Sequence, residues 1–142
     1  GGIVGEMDSD GNISKDPYIQ NCINNGSIIG FSSAYDRYSG GIIGYCYDDD
    51  THIKYCANVG VISGHAHSKS IIGNRSGTIS HTYNYYTGCY EIGGGEHTAY
   101  VGKGTTLAAC IEWMNKQTAS SRSTFCAWKY ADGDNTKLDL DF

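Results

Sequence analysis

Three short blocks occur in the same order three times along this chain, and that repetition limits the available folds more than any other feature. The first block reads Gly2-Ile3-Val4-Gly5, then Gly41-Ile42-Ile43-Gly44, then Ser70-Ile71-Ile72-Gly73. The second reads Ile19-Gln20-Asn21-Cys22-Ile23-Asn24, then Ile53-Lys54-Tyr55-Cys56-Ala57-Asn58, then Ile79-Ser80-His81-Thr82-Tyr83-Asn84. Isoleucine opens and asparagine closes each copy. The third block, Gly26-Ser27-Ile28-Ile29-Gly30, returns as Gly60-Val61-Ile62-Ser63-Gly64 and has decayed by its last copy, 87–93.

Each block is brief, β-branched and bounded by Gly, Asn or Asp, the signature of short strands between turns. Strands of about four residues bury no face alone. Stacking each copy on the next, about 4.8 Å apart in parallel register, solves this by putting equivalent isoleucines in one dry interior. The expectation is therefore an all-β parallel solenoid of about three coils over residues 1–104. Ile19, Ile53 and Ile79 form one column, Cys22 and Cys56 (with Thr82) a second, and Asn24, Asn58 and Asn84 a third. Glycines at the corners supply positive φ angles and let turns stack closely.

These blocks resemble the GLUG repeat of bacterial surface and secreted proteins, named for its G-L-x-G core. The residues that carry the likeness are 2–5, 41–44, Asn-Cys-Ile-Asn-Asn-Gly at 21–26 and Tyr-Cys-Ala-Asn-Val-Gly at 55–60. Isoleucine replaces the leucine of the core motif, and the third copy departs most. The resemblance covers roughly the first hundred residues. It implies a cell-surface adhesin or its stalk, and no catalytic residues to carry over.

From 105 to 142 the pattern changes. Leu107, Cys110, Ile111 and Met114 have the i, i+3, i+4, i+7 spacing of one helical face, behind Thr105 or Thr106 as N-cap. A helix over about 106–117 should lay this stripe over the open end of the repeat core. Phe125–Tyr130 and Lys137–Phe142 read as a hairpin around Asp132-Gly133-Asp134-Asn135, with Leu138, Leu140 and Phe142 on one side. A helix-plus-hairpin cap is similar to the way GLUG-type chains often finish, which supports a native C-terminus. The opening, inside a repeat block, reads as a piece of something longer.

Composition removes several classes. Among 142 residues there are 20 Gly and one Pro, with 12 Tyr against 3 Phe and only 18% charged residues. Disordered chains are charge-rich and poor in aromatics, and collagen needs a three-residue glycine period. No apolar run approaches the roughly 18 residues that span a bilayer. A net charge of −5 with ten scattered Lys and Arg disfavours nucleic acid, which calls for a clustered basic face.

Few residues offer chemistry. Among the six cysteines there is no CxxC. The cross-strand spacing of Cys22 and Cys56 favours stacked thiols over a disulfide. Cys110 with Cys126 is the pair best placed for a bond, and the states of Cys46, Cys89, Cys110 and Cys126 stay open. Recurrent asparagines stack along a corner and tolerate left-handed backbone angles. Asp8-Ser9-Asp10-Gly11-Asn12, Asp48-Asp49-Asp50 and Asp132-Gly133-Asp134 could offer oxygens to calcium, but none has EF-hand spacing. His65, His67, Glu96 and His97 read as loop residues. Gly102-Lys103-Gly104-Thr105 lacks the P-loop pattern. Asn12, Asn25 and Asn74 open formal glycosylation sequons. No metal or cofactor is expected.

The tyrosines are the remaining signal. Tyr45 and Tyr47 alternate onto one face, Tyr83, Tyr85 and Tyr86 cluster in the third repeat, and Tyr55 should face outward. Exposed aromatics on a rigid sheet can stack on sugars or anchor a protein; they can also merely cover a core with the hydroxyl wet. The reading is a non-enzymatic extracellular module of a bacterial cell-surface protein, in adhesion or as a stalk, with a host or microbial glycan or protein as partner. The alternatives are a glycan-binding module using the tyrosines, or a carbohydrate-active β-helix enzyme. Glycosidases need carboxyl pairs about 5 Å or about 6.5–9.5 Å apart, and the strand blocks contain none.

Overall fold

The computed structural model describes residues 1–7, 18–29, 38–46, 51–63, 68–69, 71–75, 79–86, 96–101 and 106–142. In chain order its strands are β1 (Val4–Met7), β2 (Tyr18–Gln20), β3 (Ile23–Asn24), β4 (Ile28–Ile29), β5 (Ser39–Gly40), β6 (Ile43–Cys46), β7 (Thr51–Lys54) and β8 (Ala57–Asn58). β9 (Ile62–Ser63), β10 (Ser68–Lys69), β11 (Ile72–Arg75), β12 (Ile79–Tyr86) and β13 (Glu96–Val101) follow. Helix α1 (Leu107–Thr118) and a hairpin of β14 (Ala127–Ala131) and β15 (Asp134–Asp141) complete the order. No helix among the described residues is long and apolar enough to cross a membrane.

Copies of the first block pair in parallel as β1-β6-β11, with Val4 beside Ile43 and Ile43 beside Ile72. In the second block Ile19 pairs with Ile53 and Asn24 with Asn58. In the third, Ile28 pairs with Ile62. Ile42, Ile43, Ile53, Ile71 and Ile72 are fully buried and, with Ile19, Cys46 and Cys56, make the first core. Burying an isoleucine stabilises by about 1.5–3 kcal/mol, so this cluster is the main adhesive of the repeats. The glycines serve close approach here. A Cβ on Gly73 would lie 2.5 Å from the Gly44 carbonyl oxygen, and one on Gly60 would overlap the Gly26 carbonyl.

The expected all-β solenoid of three coils is overturned. The first and third blocks form short, separate parallel sheets of two or three strands, while β12 joins β2, β7, β8, β3 and β13 into one sheet of six rather than into a third coil. The chain carries a helix and an antiparallel hairpin besides. The third repeat is the reason. It runs as one eight-residue strand, β12, which pairs with both β7 and β8 on one side and β13 on the other. Ile79 lies beside Thr51, His81 beside Ile53 and Tyr86 beside Asn58. That register is displaced by two residues from the one the repeats suggest, so Ile79 and Asn84 leave the columns of Ile53 and Asn58. A one-residue slip would turn every side chain over, whereas a slip of two preserves which face each occupies. The polar run of β12 has too few apolar anchors to resist it.

Left-handed backbone also falls elsewhere than expected. Asn21 (φ 56°) and Tyr55 (φ 51°), equivalent positions in consecutive repeats, adopt it, and Gly133 (φ 75°) is the one described glycine that does. Asn24 and Asn58 instead work through their side chains. Asn24 Nδ2 donates to Asn58 Oδ1 at 2.7 Å and to the Gly26 carbonyl at 2.9 Å, and Asn58 Nδ2 donates to the Gly60 carbonyl at 2.9 Å.

The C-terminal segment builds a second core rather than closing the end of the first. Thr106 caps α1, its hydroxyl accepting from Ala109 N at 3.2 Å. Cys110 and Met114 on the helix pack with Trp128 and Leu138 of the hairpin and with Ala57 of β8; Ile23 and Tyr55 flank them. Cys22 and Cys56 belong to the first core while Ile23 and Ala57, the next residues, belong to the second. Strand alternation sends them to opposite faces, so β3 and β8 form a wall between two interiors. The hairpin turn is tighter than its composition suggests: Ala131 pairs with Asp134 across Asp132-Gly133. Phe142, expected on the buried side with Leu138, is fully exposed.

Two asparagines hold the hairpin. Asn115 of α1 donates from Nδ2 to the Trp128 carbonyl (2.9 Å) and accepts from Trp128 N (2.8 Å). Asn25 does the same for Leu138, at 2.8 and 3.1 Å. Each side-chain amide takes the place of a neighbouring strand on an edge that would otherwise be open to pairing. Asn25 therefore serves as a structural clasp, with its amide nitrogen already committed, rather than as a glycan acceptor.

Two substitutions test this account. Asn58→Ala should cost about 2–3 kcal/mol in urea unfolding, because it removes one acceptor of the Asn24 amide and the side-chain donor to the Gly60 carbonyl in a dry site. Asn25→Ala should cost about 1–2 kcal/mol and raise the hydrogen-exchange rate of the Leu138 amide more than that of Lys129, which faces the partner strand.

Candidate ligand-contacting face

On β2 and β7 the core isoleucines Ile19 and Ile53 point inward, so the residues on either side must point out. Those residues are Tyr18 and Gln20 on β2 and His52 and Lys54 on β7, paired Tyr18 with His52 and Gln20 with Lys54. Tyr18 is 53% exposed. Its ring stacks on the His52 imidazole with centroids 4.7 Å apart and planes inclined by 18°. Lys54 Nζ sits 5.3 Å from the Tyr18 ring centre, within reach of the negative face of the aromatic ring. In backbone register, Ser80 of β12 lies beside His52, Thr82 beside Lys54 and Glu96 of β13 beside Ser80. The result is an outward platform with an exposed ring, a cation and an amide held on paired strands. Such a surface can bind by stacking and hydrogen bonding.

The residues singled out from the sequence fare differently. Tyr45 is half-buried and leans on Tyr38, with centroids 4.9 Å apart at 37°. Tyr83, Tyr85 and Tyr86 lie in β12, where Tyr85 pairs with Ala57 and Tyr86 with Asn58. Tyr47 lies outside the described residues, as do Asp8–Asn12, Asp48–Asp50, His65, His67, Cys89 and 102–105. Tyr55, expected to face outward, packs edge-on against Phe125 with centroids 4.6 Å apart, because its left-handed backbone turns it toward the second core.

Cys22, Cys46, Cys56, Cys110 and Cys126 are free thiols, so the Cys110–Cys126 bond is not made. Burial pushes the Cys110 thiol up to about 12. At the hairpin, Asp134 is occupied within its own turn by the Thr136 hydroxyl and amide and by Lys137 Nζ at 2.9 Å. Those Thr136 bonds, with Lys137, hold its carboxyl down to about 2. Asp132 points to solvent and meets Lys129 at 3.9 Å, so these carboxylates do not converge as calcium ligands would. Among the described residues no group of three or more His, Cys, Asp or Glu could hold a metal.

Tyr18, His52 and Lys54 were not singled out in the sequence. The signal was present, since they flank the opening isoleucine of the second block and alternation alone directs them outward. Comparison with protein-family models, with curated proteins and with solved structures brings up no match to this chain.

Neighbouring residues should respond very differently to truncation. Tyr18→Ala should change unfolding free energy by less than about 1 kcal/mol, whereas Ile19→Ala should cost about 2–4 kcal/mol, as read by urea denaturation.

Proposed function

We propose that this chain is a non-catalytic extracellular module of a bacterial surface protein, acting in adhesion, and that it contacts a surface glycan through the Tyr18–His52–Lys54 face. The carrying observation is the exposed Tyr18 ring, stacked on His52 with Lys54 beside it. Aromatic rings take up the apolar faces of sugars, while ammonium and amide groups bond their hydroxyls. Paired strands hold the ring in place before binding, which reduces the ordering cost that weakens small ligands. The bacterial surface setting rests on the resemblance of the repeat blocks to the GLUG motif.

A panel of host, plant and microbial glycans, probed with the labelled chain, tests the reading. Binding to at least one glycan class is expected. Tyr18→Ala should weaken it at least about tenfold, which corresponds to about 1.4 kcal/mol, and Tyr130→Ala on the hairpin should leave it unchanged. Binding indifferent to Tyr18→Ala would remove this face from the account. Release of cleaved sugars would replace adhesion with enzymatic action.

A further inference from the structure

Cys22 and Cys56 hold equivalent places in the first and second repeats. The pairs on either side of them, Gln20 with Lys54 and Ile23 with Ala57, keep the two in register. Parallel neighbours about 4.8 Å apart stack as free thiols, and that spacing also falls within the Cα separations a disulfide spans, about 4.4–6.8 Å. Their surroundings differ. Cys56 is fully buried, with its sulfur 3.3 Å from the Lys54 carbonyl and 3.6 Å from that of Ile19. Cys22 is half-buried, with its sulfur 3.3 Å from the Gln20 carbonyl. An accessible sulfur thus lies directly against an enclosed one.

We propose that Cys22 and Cys56 form a thiol–disulfide exchange site, in which Cys22 attacks a low-molecular-weight disulfide and Cys56 resolves the adduct. In the first step the Cys22 thiolate bonds to one sulfur of the small disulfide and breaks its S–S bond. The departing thiolate takes the proton of Cys56. The Cys56 sulfur then bonds to Cys22 Sγ, breaking the mixed disulfide and releasing the second thiolate, which is protonated from water. Two protein thiols are oxidised to one disulfide, and one small disulfide is reduced to two thiols. The order of attack follows from the environment. The hydrogen bond from Cys56 holds the Cys22 thiol down to about 7, while burial pushes Cys56 up. At pH 7 Cys22 is then about half thiolate, against about 3% for an ordinary thiol near 8.5.

The test uses the full reduced chain and oxidised glutathione, followed by tryptic mapping without reduction. Cleavage after Lys15, Arg37, Lys54 and Lys69 isolates Cys22 in peptide 16–37 and Cys56 in peptide 55–69, each with no other cysteine. The two peptides should accumulate as a linked pair. Cys56→Ser should stop at a glutathione adduct on peptide 16–37, and Cys22→Ser should leave peptide 55–69 unmodified. Unlinked peptides from the wild type, free or as a lasting adduct, would overturn the proposal. A second measurement needs no variant. Alkylation of Cys22 by iodoacetamide should reach half its maximal rate near pH 7 and run about tenfold faster at that pH in the folded than in the urea-unfolded chain; equal rates would count against it.

Discussion

The hydrogen bond from Asn24 to Asn58 holds the wall on which both interiors of this protein are built. Strands β3 and β8 are two residues each, too short to be stable on their own, and they separate a core of repeat isoleucines from a core made with the helix and hairpin. A fully buried amide such as Asn58 is costly unless bonded. Here each amide clasps its own following turn and the pair bonds across the strands, so the same side chains end the strand, shape the turn and set the register. Identical residues lie over identical residues because only that alignment satisfies both amides.

The same device, used outward, joins the two halves. Asn25, one residue beyond the wall, and Asn115 on the helix each present a side-chain amide to one outer edge of the hairpin. An isolated two-stranded ribbon is marginal in water and its free edges invite pairing with another chain. Substituting amides for missing strands answers both problems and ties the hairpin to the first repeat. The outer face of β2 and β7 is left free of these duties, which is why an aromatic ring can stand exposed there without cost to the core.

Much of this was legible in advance. The pairing of Val4 with Ile43, of Ile43 with Ile72 and of Ile19 with Ile53 follows from aligning the blocks, because β-branched residues bounded by glycine have few other ways to bury themselves. Helix α1 and its Thr106 cap follow from apolar spacing. The architecture as a whole did not follow. The third repeat keeps the letters of the block but has lost the apolar anchors that would hold them in register, and pattern matching weighs letters without weighing anchors. Tyr55 escapes the alternation that predicts it to face outward, because its left-handed backbone breaks the strand there. Tyr18, His52 and Lys54 flank the opening isoleucines of the second block, so alternation directs them outward, but only the pairing of two repeats brings ring, imidazole and ammonium together.

What the sequence determined by itself is local: strand blocks, their order, the helical stripe and the presence of a hairpin turn near Asp132-Gly133, all set by side chains within a few residues of one another. Tertiary structure alone decided how far the stacking continues, which face the helix covers, how tightly the hairpin turns and which amides close its edges. Those outcomes depend on small differences between competing long-range contacts, such as a two-residue slip that preserves every facing. No short window of sequence contains the terms that separate them.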